Sequence, residues 1–251
     1  VAWVETQSAS FTARHESAAG DRARAMLDAL ERFRAGLERA FPDTPGEVAV
    51  VIHPQYAQLA MAQPVLPLAQ LVAAPASRRY FGGWFASGEV HVLDPEVLRD
   101  RASAVPDSRE ALRLAPAHEY AHLVIGRNNV DLPPPFTLRS FRDYLRWAWL
   151  CEGAATYFSG QHRHLGPAVA RRLREGAPPK LPPSARDAAL LGGAVFGLLE
   201  RIAGREACAD LARAPLDGAG AQSMIERAFG RPIAGVATSW RAYVDELAAT
   251  S

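Results

Sequence analysis

Residues 118–122 read His-Glu-Tyr-Ala-His. On a helix, positions i and i+4 leave the same face one turn apart, so His118 and His122 can offer two neutral imidazoles to one metal ion. Zinc takes such nitrogens at about 2.0–2.1 Å. Glu119 lies about 100° round the helix from His118, beside such an ion but not pointing at it. A carboxylate there can take a proton from a zinc-bound water. A catalytic zinc also needs a third protein ligand and an open fourth position. Glu152, within Trp-Leu-Cys-Glu-Gly-Ala-Ala-Thr-Tyr at 149–157, can supply the carboxylate. Its flanks Trp149, Leu150 and Ala154 argue against a solvated glutamate. Thr156, four residues on, shares its face and can hydrogen-bond a ligand histidine. The bland alternative for the pentapeptide is a surface helix with two solvated histidines; chance alone gives the motif in on the order of one chain in a hundred of this length.

These residues need helices to hold them. Apolar residues around the pentapeptide predict a helix from about Pro116 to Gly126, with a break or kink at Pro116 because proline lacks an N–H. Ser140 is the expected N-cap of the helix carrying Glu152, with Phe141, Tyr144, Leu145 and Trp147 leading in. The small Gly153 and Ala154 would let two helices pack closely at the metal. Upstream, Ala2–Arg14 reads as one or two strands. Ala18–Phe41 is a long amphipathic helix ended by Pro42. Glu47–His53 is a buried strand. Short helices broken by Pro64 and Pro67 follow, then a hairpin across Ser87-Gly88 within Phe81–Leu93. From Asp107 the pattern is almost wholly helical, interrupted by proline-rich loops at 128–135 and 176–183. The expected fold class is α+β. An upper lobe over 1–126 carries a small mixed sheet and the histidine helix, and a mainly helical lower lobe over 127–251 carries Glu152.

Composition narrows the function classes. With 251 residues and 49% hydrophobic content the chain can bury a core without staples. Its 28 basic residues nearly cancel 27 acidic ones, which leaves no chain-level footprint for nucleic-acid binding. Lys180 is the only lysine. Cys151 and Cys208 cannot form a disulfide framework and are expected to be buried thiols. No run of 18 apolar residues predicts a membrane span. His53 and His91 read as core or surface histidines, His15 as solvated, and the arginine runs at 22–34 and 171–172 as solvated helix faces.

The His118–His122 motif followed some thirty residues later by W-L-x-E-G-x-A-x-Y resembles the gluzincin metallopeptidases, the clan of thermolysin and the zinc aminopeptidases. It is closest to the small single-module bacterial members, the minigluzincins and peptidase-MA-like proteins. The stretches from Leu191 and from Met224 are similar to the tail of that group, and the early strand–helix–strand order fits it. The resemblance implies a two-lobed zincin fold and one zinc per chain on His118, His122 and Glu152, with Glu119 as general base. It implies a peptide or protein substrate paired with an edge strand, best matched by Gly83, Trp84, Phe85 and Ala86; an ordinary hairpin arm is the alternative. Such proteins also use a lower-lobe Tyr or His to stabilise the oxyanion. The aminopeptidase branch's Y-x-x-G falls at Leu190–Gly193 here, without a tyrosine. Tyr157, His162 and His164 are the candidates by position, beside structural or surface roles. No G-A-M-E-N-like segment is present, which favours an endopeptidase.

The expectation is therefore zinc-dependent peptide-bond hydrolysis by a metal-activated water. Its rivals are a catalytically silent zinc-binding module, a zinc hydrolase acting on a non-peptide amide, and a structural zinc site, the last disfavoured because such sites are usually closed by four Cys or His ligands. A bacterial extracytoplasmic location follows from the family's habits and the Val1 start. The oligomeric state is not legible.

Overall fold

The computed structural model describes residues 2–134, 138–216 and 218–249; of residues 106 and 138–140 it describes the backbone alone. The described residues form a mixed α/β fold of thirteen α-helices and one five-stranded sheet. Strands β1 (Trp3–Gln7), β2 (Phe11–Glu16), β3 (Val48–His53), β4 (Gly83–Ala86) and β5 (Glu89–Leu93) lie in the order β1-β2-β3-β5-β4. The two outer pairs are antiparallel, and β2–β3 and β3–β5 are parallel. Both antiparallel pairs are hairpins; Gly88, at φ +76°, takes the left-handed turn position between β4 and β5 that glycine occupies without strain.

Helix α1 (Gly20–Leu37) makes the crossover from β2 to β3 and buries Ala23, Met26, Leu27, Leu30 and Leu37. That stripe recurs at three- and four-residue intervals, the period that puts one helix face on a core. The helix ends four residues before Phe41, which is itself buried. Helices α2 (Tyr56–Ala62) and α3 (Val65–Val72) follow β3. Pro64 separates them, but Pro67 does not break α3. It is the third helical residue, where an N–H has no intrahelical acceptor to lose. Helices α4 (Pro95–Arg101) and α5 (Pro106–Arg113) lead to α6 (Ala115–Asn128), which begins with a proline at its second position. The break is where Pro116 demands it. Gly126 does not stop α6. A Cβ at Gly126 would lie 2.6 Å from the Pro133 carbonyl oxygen, so the glycine admits the following loop. That loop's last residue, Pro135, is outside the described residues.

Glu152 is not on one helix begun at Ser140. Helix α7 (Leu138–Arg146) ends first, and α8 (Ala148–Phe158) starts afresh after Trp147. Ser140 falls inside α7, and its side chain is outside the described residues. Helices α9 (Gly166–Leu173), α10 (Ala188–Ala203), α11 (Arg205–Arg213), α12 (Gly220–Phe229) and α13 (Ile233–Ala249) complete the fold. One buried apolar cluster runs from Phe11 through the sheet, α6, α8 and α10 to Val244. Among the described residues, no helix is long and apolar enough to cross a membrane.

Other expectations need correction. His15 is buried rather than solvated, bonded to Thr6 Oγ1 at 2.8 Å and to the Glu16 carbonyl at 2.8 Å. Arg172 is buried in a two-pronged ion pair with Asp187, not on a solvated face. Arg22 is likewise engaged, with Asp94. Both thiols are buried and unpaired, as their number suggested.

Candidate metal centre

Helix α6 lies on β4 and β5, and every residue from Ala115 to Ile125 is buried. Over that stretch its polar side chains have no solvent face to occupy, so they point into the protein. His118 and His122 project from one side with Nε2 atoms 3.1 Å apart. Helix α8, buried along its whole length, brings Glu152 across: one carboxylate oxygen is 3.4 Å from His118 Nε2 and the other is 3.4 Å from His122 Nε2. Glu119 adds a second carboxylate, and donor atoms of His118, Glu119 and His122 all fall within 4.8 Å, a group that can hold a metal ion.

The donor set fits zinc. Bonds of about 2.0–2.1 Å in a tetrahedron place neighbouring ligand atoms about 3.3–3.4 Å apart; here the two Nε2 atoms are 3.1 Å apart, and each is 3.4 Å from a different oxygen of Glu152. Imidazole nitrogens and carboxylate oxygens gathered this closely in a buried space repel unless a cation or a shared proton lies among them. Between the two carboxylates, Glu152 is the one equidistant from both imidazoles. The charges agree. Burial would raise the Glu152 pKa, but His122 and His118 hold it far below the usual carboxylate range. Burial would lower His118, but Glu152 and Glu119 raise it. Burial lowers His122. Burial pushes Glu119 up to about 8, opposed by His118 and reinforced by Glu152, so the two carboxylates are driven apart in acidity.

Glu152, His122 and Glu119 each have a support, whereas His118 Nδ1 is buried without a hydrogen-bond partner among the described residues. Tyr144 donates its hydroxyl to Glu152 Oε1 at 2.6 Å. Cys151 Sγ lies 3.4 Å from His122 Nδ1. The Phe85 ring stacks on His122 at 4.0 Å between centroids, 13° from parallel. Gly83 makes room for Glu119, since a Cβ there would stand 2.6 Å from Glu119 Cγ. Behind Glu152, Gly153 meets Gly192 of α10, and a Cβ on Gly153 would lie 2.7 Å from the Gly192 backbone. Gly153 therefore admits α10 on one side of α8, while α8 also packs on the histidine helix. Over the donors is a cavity of about 30 Å³ lined by Gly83, Trp84, Phe85, Glu119 and Gln161 among others, room for about one water.

The expected edge strand is placed there: Gly83–Ala86 is β4, at one end of the sheet, and Gly83, Trp84 and Phe85 line the cavity. The other candidates are elsewhere. Thr156 bonds no ligand histidine. Its Oγ1 is buried without a partner, and its side chain fills the space left by Gly193. Tyr157 turns to His162 and Phe196, with ring centroids at 5.0 and 5.7 Å. His162 is buried against Tyr157 and Gly193. His164 pairs with Asp107 at 2.9 Å. All four follow Glu152 in sequence, and α8 carries the chain away from the donors. Tyr144 and Cys151 are the functional neighbours that the sequence did not disclose. No protein-family model, curated protein or solved structure matches this chain.

Proposed function

We propose that the protein is a zinc-dependent peptidase of the gluzincin kind, a two-lobed zincin whose halves meet at His118, His122 and Glu152. The observation that carries this reading is the buried pair of imidazole nitrogens 3.1 Å apart, each 3.4 Å from one oxygen of Glu152, with a second carboxylate of raised pKa beside them. Zinc, when bound, supplies Lewis acidity that polarises a carbonyl and acidifies water. The chain supplies the rest. Glu119 accepts the proton of the attacking water and returns it to the leaving amine. Tyr144 fixes the Glu152 carboxylate between the two imidazoles. An extended peptide would add to β4, the edge strand of the sheet beside the donors. The missing aminopeptidase segment favours internal cleavage. A silent zinc-holding module is the second reading, favoured by the 30 Å³ cavity, which is too small for a peptide unless the site opens.

Metal analysis together with a quenched-peptide assay, with and without chelator, tests both. The purified protein should hold about one zinc per chain and cleave peptides only without chelator. Glu152→Ala should lose most of the zinc. Glu119→Gln should keep the zinc while turnover falls about 10²–10⁴-fold, the usual loss for a general base. Wild-type zinc retention in Glu152→Ala removes the gluzincin reading. A fully loaded wild-type protein that cleaves none of a broad peptide library leaves the silent module.

A further inference from the structure

A second, larger cavity among the described residues is away from the donors. It is a trench of about 600 Å³ between α1 on one side and α4, α5 and the start of α6 on the other. It exists because small residues face it. Ala25 and Ala29 on α1 oppose Pro95, Pro116 and Ala117, leaving space that larger side chains would fill. Its floor is apolar, with Met26, Leu30, Phe33 and Leu98. Its rim is cationic. Arg32, Arg99, Arg109 and Arg113 line it, against Glu110 as the one lining carboxylate. Glu110 is held by Arg113 at 2.8 Å, and Arg22, also lining, is held by Asp94. Arg32 and Arg109 make no hydrogen bond or ion pair among the described residues, so the trench carries uncompensated positive charge over a hydrocarbon floor.

We propose that this trench binds a single-chain amphiphilic anion, a long-chain fatty carboxylate or its phosphate analogue, with the tail on the α1 floor and the head among Arg32, Arg109 and Arg113. Size and bonding choose this occupant over a peptide. The volume is that of a small-molecule site, typically about 300–1,000 Å³. A helix about 10 Å across would fill 600 Å³ with roughly five residues. An extended peptide would need backbone partners, but the walls are helices whose N–H and C=O groups are already bonded, and unpaired buried amides are costly. A hydrocarbon chain asks for no hydrogen bonds. Guanidinium forks then supply charge-assisted bonds to the head group. None of the metal donors lines the trench, so this inference is independent of the zinc reading.

The test is calorimetric titration of the full chain with dodecanoate below its micelle concentration. Dodecyl phosphate, dodecyltrimethylammonium, acetate and an acidic amphipathic peptide serve as comparators. Dodecanoate should bind saturably at one site. The cation of equal chain length should bind at least about tenfold more weakly, and acetate should show no saturable binding. The ratio of dodecyl phosphate to dodecanoate then distinguishes a phospholipid-like from a fatty-acid source. The exposed double variant Arg109→Glu/Arg113→Glu should lose at least about tenfold in affinity, and Ala25→Trp, which fills the trench from an exposed position, should abolish binding. Unchanged circular dichroism and zinc content establish that both variants are folded. No saturable binding of either anion, equal affinity in both variants, or displacement of dodecanoate by the peptide would overturn the proposal.

Discussion

Cys151 is an unusual neighbour for an imidazole proposed to hold a metal. If His122 turns its Nε2 lone pair to the donor focus, its Nδ1 carries the hydrogen and donates to Cys151 Sγ at 3.4 Å. Burial keeps that thiol protonated by raising its pKa well above the ordinary value, so it accepts as a neutral sulfur and adds no charge. Partners of this sort fix the tautomer and ring orientation, and losing one typically costs about 10–100-fold in metal affinity. Cys151→Ala should show a loss of that order in a competitive chelator titration, while Cys151→Ser, which keeps an acceptor, should recover most of it. Equal affinity in all three proteins would leave Phe85 stacking as the sole restraint on the ring. The meeting of His118 with His122 was legible because a helix converts their spacing directly into a shared face, with Glu119 beside it. Glu152 was legible through its motif and apolar flanks. Tyr144 was not, since eight residues and a helix break at Trp147 separate it from the carboxylate it holds. Cys151 was adjacent to Glu152, but adjacency gives no hint of which histidine it meets on another helix.

At the scale of elements, the sequence period located α1, β3 and the β4–β5 hairpin, and the proline at 116 located the start of α6. It misread the ends, because Pro67 and Gly126 occupy positions where their usual effect on a helix has nothing to act on. Helix contacts were the least legible, as shown by Gly153. Gly192→Ala would set a Cβ 2.7 Å from Gly153 Cα and from the Trp149 carbonyl oxygen. Overpacking of this kind costs about 1–3 kcal/mol, and here it also displaces the residue next to Glu152. A lowered Tm with weakened zinc retention is expected; a lowered Tm with unchanged zinc affinity would mean that α8 shifts as a rigid body without moving the carboxylate. A second element-level feature is the histidine pair joining β3 to β5, His53 Nε2 to His91 Nδ1 at 3.0 Å. Burial, with His91 adding to it, lowers the His53 pKa to about 4. The folded state therefore refuses a proton that the unfolded chain accepts near pH 6.5. Stability is full above that pH and falls as pH drops from about 6.5 toward 4. At pH 5 the loss from this residue is on the order of 1–2 kcal/mol. Thermal melts at matched metal occupancy should show a smaller fall between pH 7.5 and 5 for His53→Gln than for wild type. Parallel curves would exclude the pair as an acid-sensitive joint.

For the whole molecule, the early sheet and the late helices share one apolar cluster, and the donors sit where they meet. Composition made an α/β globule legible, but not the depth at which its polar site would be enclosed, because enclosure depends on which helices close over α6 and α8. The glycine contact between α8 and α10 has a consequence for the order in which the molecule is made. Gly192 follows His122 by 70 residues, on the order of 4–14 s of translation at about 5–20 residues per second. Throughout that interval a nascent chain displays two imidazoles, then a carboxylate, with no α10 to register them. An ion caught early is held by an unbraced set of ligands and exchanges freely. Ribosome-stalled chains with α8 but not α10 outside the exit tunnel should surrender zinc to a weak chelator that leaves the released protein loaded. Equal resistance would mean that the metal, not α10, organises the ligands during synthesis.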